Sequence, residues 1–418
     1  PDRSGPETSE AEAVVQTILG IAPCRRSLES IWQTPFHRGS DQAFLRRDVC
    51  GGPALGEAAQ MIATRPQEAL SEAFEHERRG ELGSAFRLSF RASRSGHDDT
   101  DVAARMNCER LRMKIRRKTR EFLVPPTPIH VNDRTPDTYP RDHASRDAMS
   151  PVLSLTTIAQ RLPNLPRVLS GILEQSLQPH SVNLYVSRSP FLIDPGIRTS
   201  DDAIKEIAAL GVNIYDVPNT GPYRKILPCV TQLIACNAPS STPIVTIDDD
   251  VQYPSDLLAT LRLAAEDEDD VIVSHRGRYM KMSDGSFASY GEFGIPRSVP
   301  DLRNLPIGRN GIFYRLRHLP SSVEEFCGPV IAPTTDDLWL KMISLMRCVP
   351  VDVLEPRASF RILHDFPAVE VADQSGLFSS YNATDKNDAS LQNIEAFLED
   401  HYGVSPSKIA QELNGDAT

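Results

Sequence analysis

Three consecutive carboxylates, Asp248-Asp249-Asp250, close a run of strand-forming residues, Pro243-Ile244-Val245-Thr246-Ile247, and the helix-opening Tyr253-Pro254-Ser255-Asp256 follows shortly after. Like charges this close repel, so a fold that gathers them at a strand end is expected to offset the repulsion with a cation. The chemistry suggested is a divalent ion, Mg²⁺ or Mn²⁺, holding a nucleoside diphosphate at the carboxyl end of a parallel strand. An acidic surface turn uses the same residue types, and the strand ahead of the triplet argues against it. A second acidic pair, Asp336-Asp337, stands between Thr335 and the apolar run Leu338-Trp339-Leu340. A threonine N-cap with acids in the first helical turn accounts for that pattern without any chemistry.

The elements that must position these groups read as an alternation. Short β-branched runs over 152–156, 182–186, 212–217, 244–247 and 271–274 are separated by helical patterns over 165–175, 201–210, 225–236 and 255–265. Such a βαβ series predicts a mostly parallel, right-handed, doubly wound sheet. Ligands of such sheets collect beyond the carboxyl ends of the strands, where the aspartates fall. Thr156, Thr157 and Arg161 occupy the first strand-to-helix loop. Gly221-Pro222-Tyr223-Arg224-Lys225 lies between a strand and a helix, where a basic side chain is expected to reach phosphates from a helix N-terminus. An exposed basic turn is the plain alternative.

Residues 1–125 carry helical signals, including a stretch over 68–88 with apolar residues at helical spacing and a Gly break, which predicts two antiparallel helices. Only one copy of this hairpin pattern is visible, so a solenoid is not expected. A further helix over about 102–122 ends in Arg110, Arg112, Lys114, Arg116, Arg117, Lys118 and Arg120. That run is either a solvated helix face or a peripheral contact of the segment 105–120 with an anionic membrane surface. Val124-Pro125-Pro126-Thr127-Pro128 stops the helix. The resulting division is a helical N-terminal region over 1–125, a Pro-rich polar linker over 126–150, an α/β domain over 151–366, and a tail over 367–418 that closes with a helix.

A chain of 418 residues, 40% hydrophobic and 24% charged, has ample material for a large core. No apolar stretch approaches the roughly 20 residues that cross a bilayer, and no signal-peptide core is visible, which predicts a soluble, cytoplasmic protein, peripheral at most at the inner membrane face. Seven widely spaced cysteines without a C-x-x-C pair predict reduced thiols, with neither a disulfide frame nor a zinc site. The net charge of −11 argues against a nucleic-acid partner.

Residues of about 151–350 resemble the GT-A fold of nucleotide-sugar glycosyltransferases, in particular bacterial family-2-like enzymes. The segments that carry the resemblance are Ser154-Leu155-Thr156-Thr157-Ile158, Gln175-Ser176-Leu177-Gln178-Pro179, Gly221-Pro222-Tyr223-Arg224-Lys225, Ile247-Asp248-Asp249-Asp250 with Tyr253-Pro254, His275-Arg276-Gly277, and Pro333-Thr334-Thr335-Asp336-Asp337-Leu338-Trp339. The resemblance implies a metal-dependent hexosyltransferase that moves a sugar from a nucleotide donor, a UDP-sugar, to a saccharide or glycolipid acceptor with inversion. In that picture Asp250 is the direct metal ligand and Asp248 lies by the ribose or a metal-bound water. Asp249 faces the sheet-side hydrogen-bond network, and His364 is a further candidate ligand. Thr156, Thr157, Arg161 and Lys225 line the donor pocket together with Asp248 and Asp249. Asp337 is the general base and Asp336 contacts the acceptor, with His275, Arg276 and Gly311, from the glycine-rich segment 306–314, on the acceptor side. The chain departs from the pattern after the second strand, where relatives carry an Asp pair that reads the base and Ser187-Arg188 stands here. The alternatives are a nucleotidyltransferase, whose Gly-rich basic signature after the first strand is absent, and a non-catalytic transferase-like scaffold that binds carbohydrate.

Overall fold

The computed structural model describes residues 66–96, 98–131, 150–198, 200–267, 270–354 and 386–413. The strands are β1 (Thr127–Pro128), β2 (Val152–Thr156), β3 (Ser181–Val186), β4 (Asn213–Asp216), β5 (Pro243–Thr246), β6 (Ile272–Ser274), β7 (Gly277–Tyr279), β8 (Met282–Ser283), β9 (Ser286–Phe287), β10 (Asn304–Pro306), β11 (Ile312–Arg315) and β12 (Val351–Val353). The helices are α1 (Pro66–Arg78), α2 (Leu82–Ala92), α3 (Asp98–Arg120), α4 (Leu165–Leu173), α5 (Asp202–Ala209), α6 (Leu227–Ala235), α7 (Leu257–Asp267), α8 (Gly328–Ile331), α9 (Asp336–Met346), α10 (Lys386–Tyr402) and α11 (Pro406–Leu413).

Eight strands form one sheet in the order β1-β4-β3-β2-β5-β11-β6-β12. The pairs β4/β3, β3/β2, β2/β5 and β6/β12 are parallel, whereas β11 runs antiparallel between β5 and β6. The chain is therefore mixed α/β with a mostly parallel sheet. Successive side chains of a strand face opposite sides: Val152 belongs to one core and Leu153 and Leu155 to the other. Helices α4, α5 and α7 cover one face. Helices α6 and α9 cover the other, together with α2, α3 and α10. Burial on both faces is why these strands read as near-continuous apolar runs.

The N-terminal helices are not a separate unit. Phe86 of α2 meets Phe397 of α10 edge-on at 5.5 Å, and Phe397 in turn contacts Trp339 of α9 at 6.1 Å. Leu111 and Ile115 of α3 join the same core. Much of the basic run on α3 is engaged inside the molecule: Arg110 and Lys114 pair with Glu77, Arg112 with Asp400 at 2.5 Å, and Arg116 with Glu324 at 2.6 Å. The expected linker also differs, since Thr127–Pro128 adds β1 antiparallel to β4. Proline is tolerated there because β1 is an edge strand. Beyond the predicted closing helix, α11 packs against α9 and α10. Among the described residues no helix is long and apolar enough to cross a membrane, and Cys108, Cys229, Cys236 and Cys327 carry free thiols.

Lys341 of α9 is buried, and its Nζ has no hydrogen-bond partner among the described residues. Burial drives its pKa down to about 7, against the weak opposing pull of Asp301. The folded chain thus binds fewer protons than the unfolded chain between about pH 7 and the ordinary lysine range, and stability rises with pH across that window. Below it the handicap is constant, on the order of 4 kcal/mol. Lys341→Met is expected to raise stability at pH 7 by roughly 1–3 kcal/mol and to flatten this pH dependence. Denaturant unfolding at pH 7 and pH 9.5 checks it, and a variant less stable than the parent at both would contradict it.

Candidate active site

Strand order places the site. From β2 the chain winds outward to β3 and β4, then returns to place β5 on the other side of β2. At such a reversal the loops beyond the two central strands part and leave a crevice. Thr157 and Arg161 follow β2 there, and Asp248-Asp249-Asp250 follow β5. Because β11 is antiparallel, the turn that precedes it, Gly308–Asn310, falls at the same edge as the ends of β5 and β6. Helix α9 begins there too, with Asp336 and Asp337 in its first turn.

The three aspartates face three environments. Asp249 is buried and accepts from Thr157 Oγ1 at 2.6 Å and from Arg161 at 2.8 Å. Asp250 is partly exposed and pairs with Arg161 at 3.1 Å. Burial raises its pKa to about 6; Arg161 opposes that rise, and Asp249 and Asp248 add to it. Asp248 pairs with Lys225 Nζ at 3.1 Å, and its backbone N–H donates to Tyr253 Oη at 2.9 Å. The segment after the triplet is braced from α4: Gln175 Nε2 donates to Pro254 O at 2.6 Å, its Oε1 accepts from Leu258 N at 3.1 Å, and Ser176 N donates to Ser255 O at 2.7 Å.

Gly221–Lys225 is a 3₁₀ turn rather than the start of α6. Its tight pitch splays successive side chains apart, and three of them anchor three walls. Tyr223 Oη donates to Ala332 O at 2.8 Å, just ahead of α9. Arg224 bonds Thr157 O at 3.0 Å and Asp194 at 2.8 Å, tying the loops after β2 and β3 together. Lys225 joins Asp248 to Asp336, with Nζ at 3.1 Å and 3.0 Å. Burial works against the Lys225 charge, but Asp248, Asp336 and Asp337 outweigh it and hold the pKa well above the ordinary lysine value.

Asp337 differs from its neighbour. Its Oδ2 accepts from Gly308 N at 3.1 Å, while Oδ1 is buried without a hydrogen-bond partner among the described residues. Burial, followed by the charge of Asp336, raises its pKa to about 7, above what Lys225 and the Gly308 amide restore. A Cβ on Gly308 would stand 2.7 Å from Lys225 Nζ and 3.2 Å from Asp337 Oδ1, so only glycine lets this backbone close over both groups. A carboxylate with a free oxygen and a pKa near neutrality is suited to take a proton from an incoming hydroxyl.

When ionised, the five carboxylates Asp248, Asp249, Asp250, Asp336 and Asp337 face three cations, Lys225, Arg161 and Arg309, a surplus of two negative charges. Asp248 and Asp250, the partly exposed members of the triplet, offer the oxygen ligands that Mg²⁺ or Mn²⁺ prefers. No group of three His, Cys, Asp or Glu side chains able to hold a metal occurs among the described residues. Two partly exposed carboxylates match the one- or two-carboxylate binding that Mg²⁺ accepts alongside phosphate and water.

Several sequence expectations change. Thr156 donates to Tyr185 O at 2.7 Å and Thr157 to Asp249 at 2.6 Å, so both hydroxyl protons are engaged within the protein. Lys225 is enclosed between acids and does not reach outward. Asp336 is buried against Lys225. His275 is buried, its Nε2 3.0 Å from Thr260 Oγ1 of α7. Gly311 has φ +86°, and its missing Cβ would face Leu257 and Leu261, so backbone conformation and core packing explain it; Gly308 is the glycine that meets the site. Thr335 precedes α9 but makes no side-chain cap bond. Arg161 stays at the cleft, and Arg276 is exposed, its carbonyl accepting from Ile307 N, next to Gly308, at 2.8 Å. His364 lies outside the described residues.

Sequence reasoning gave no individual role to Tyr253, Asp194, Tyr290 or Arg309. Tyr290 is stacked under Arg278 at 4.7 Å and is fixed by Asp388, which accepts from Ser289 Oγ at 2.7 Å and Tyr290 N at 2.6 Å. Burial raises its pKa, with Arg278 opposing and the Asp337 charge contributing, which puts this ring on the Asp337 side of the cleft. No sequence signal singles it out. No family model and no curated protein matches the chain.

Proposed function

We propose that this protein is a metal-dependent glycosyltransferase of the GT-A type that moves a sugar from a nucleoside-diphosphate donor, a UDP-sugar, to a hydroxyl of a saccharide or glycolipid acceptor, with inversion. The observation that carries the reading is a buried Lys225 that pairs with Asp248 on one side and Asp336 on the other, so that the partly exposed Asp248/Asp250 edge lies across it from Asp337, the neighbour of Asp336, whose Oδ1 has no hydrogen-bond partner among the described residues. Asp248 and Asp250 are the residues that would hold Mn²⁺ or Mg²⁺. Bound there, the ion would supply charge neutralisation for the departing diphosphate.

The chain's own groups do the rest. Asp337 accepts the acceptor hydroxyl proton as that oxygen forms a bond to the anomeric carbon. The bond from that carbon to the diphosphate oxygen breaks, and the electron pair leaves with the nucleoside diphosphate. Gly308 N orients the Asp337 carboxylate. Lys225 and Arg161 keep the acidic cluster from dispersing.

Incubating the protein with a panel of nucleotide sugars is expected to raise its melting temperature for at least one donor with Mn²⁺ present, and to release nucleoside diphosphate. Asp250→Asn should lose the Mn²⁺-dependent part of both responses while keeping the parent fold. A protein that ignores every donor in the panel defeats the reading, and so does an Asp250→Asn variant with normal metal dependence.

A further inference from the structure

The turn between β10 and β11 is held at two points by the acidic site. Gly308 N donates to Asp337 Oδ2 at 3.1 Å. Arg309 O accepts from Tyr253 Oη at 2.8 Å, and the same hydroxyl accepts from Asp248 N at 2.9 Å. The backbone of Arg309 is therefore fixed one side chain away from the first aspartate of the triplet. Its own side chain is less committed: among the described residues, Nε is buried without a hydrogen-bond partner, as is Oδ1 of the neighbouring Asn310. Asp250 takes its ion pair from Arg161, while the Arg309 charge reaches it only through space.

A donor this well positioned and this incompletely satisfied, beside a metal-type acidic edge, has the form of a ligand contact. Guanidinium presents a planar fork that matches a phosphate, and burial of Nε with no partner leaves a desolvated donor to be filled. We infer that Arg309 binds a phosphate oxygen of the donor's nucleoside diphosphate, so that the leaving group is gripped by a protein-borne cation in addition to any ion at Asp248 and Asp250. This rests on the glycosyltransferase reading and names a residue for its donor end. Arg309 lies between Gly308, which orients the base, and the strand that runs beside β5. One short turn thus couples the acid-base side of the cleft to the diphosphate side.

The test is calorimetric titration of the full chain with UDP and with GDP, each with Mn²⁺, for the parent, Arg309→Gln and Arg309→Lys, with uridine and guanosine as phosphate-free controls. Arg309→Gln is expected to bind whichever diphosphate the parent prefers about tenfold to a hundredfold more weakly, the scale of a lost charge-assisted hydrogen bond. Arg309→Lys should recover part of that loss, and binding of the nucleoside control should not change. Parent-like diphosphate affinity in Arg309→Gln overturns the inference and leaves the glycosyltransferase reading standing. Equal weakening toward the nucleoside overturns it as well, because it assigns Arg309 to pocket shape. A parent that binds neither diphosphate removes the reading and this inference together.

Discussion

Asp337→Asn is expected to lower kcat by about 10²–10⁴-fold while leaving diphosphate affinity close to that of the parent, the pattern of a lost general base. The asparagine keeps the shape and can still accept from Gly308 N, so what disappears is the ability to take a proton. In the parent, kcat/KM should rise with pH through about 7, the value to which burial and the Asp336 charge bring this carboxyl. In the variant that limb should vanish. The stability consequence has the opposite sign. A carboxyl whose pKa is raised by folding binds more protons folded than unfolded, so its contribution is present at low pH and is lost as pH climbs toward about 7. Asp337→Asn should therefore stabilise the protein at pH 8, on the order of 2 kcal/mol. Turnover and denaturant unfolding of one variant, each measured from pH 5.5 to 8.5, separate this from a structural role. A variant with full turnover moves the base elsewhere, and one that is both inactive and destabilised makes Asp337 a capping residue.

How far the site was legible depends on what each residue does. Period-two and period-3.6 patterning are local, so β2 through β6 and the helices between them fall within a few residues of where the sequence puts them. The reversal between β2 and β5 has no local signal: strand order alone shows that the first three strands of the alternation lie to one side of β5. Long-range geometry decided the remainder. The sequence segment Gly308-Arg309-Asn310-Gly311 holds two glycines, and no local rule tells which has its back to α7 and which closes over Asp337. Lys225 looks like a phosphate ligand in a loop between strand and helix, yet a 3₁₀ turn aims it inward. His275 stands at a strand end like a ligand, yet it is buried with its ring beside Thr260. The N-terminal helices looked like an appendage because Phe86 and Phe397 are more than 300 residues apart, a contact no window reads.

Lys225→Met should cost about 3–5 kcal/mol of stability, the scale seen when one partner of a buried ion pair is removed and the other is left charged. Lys225 is buried between Asp248 and Asp336, and Asp336 is itself buried, so its charge loses its closest cation and has no route to water. Some of the loss is recoverable by a second change. With Asp336→Asn also present, no uncompensated charge remains at that point, and the double variant should regain roughly half of what Lys225→Met lost, a coupling of 1–3 kcal/mol in a double-mutant cycle. The cycle also distinguishes two roles for the lysine. If its work is to hold the two acidic groups together, the double variant should recover stability yet stay deficient in turnover, since Asp248 and the start of α9 no longer share a link. If Lys225 only neutralises Asp336, turnover should return along with stability. Strictly additive losses in urea unfolding would show that Lys225 and Asp336 do not depend on each other, and the bridge across the cleft would then have no part in assembling it.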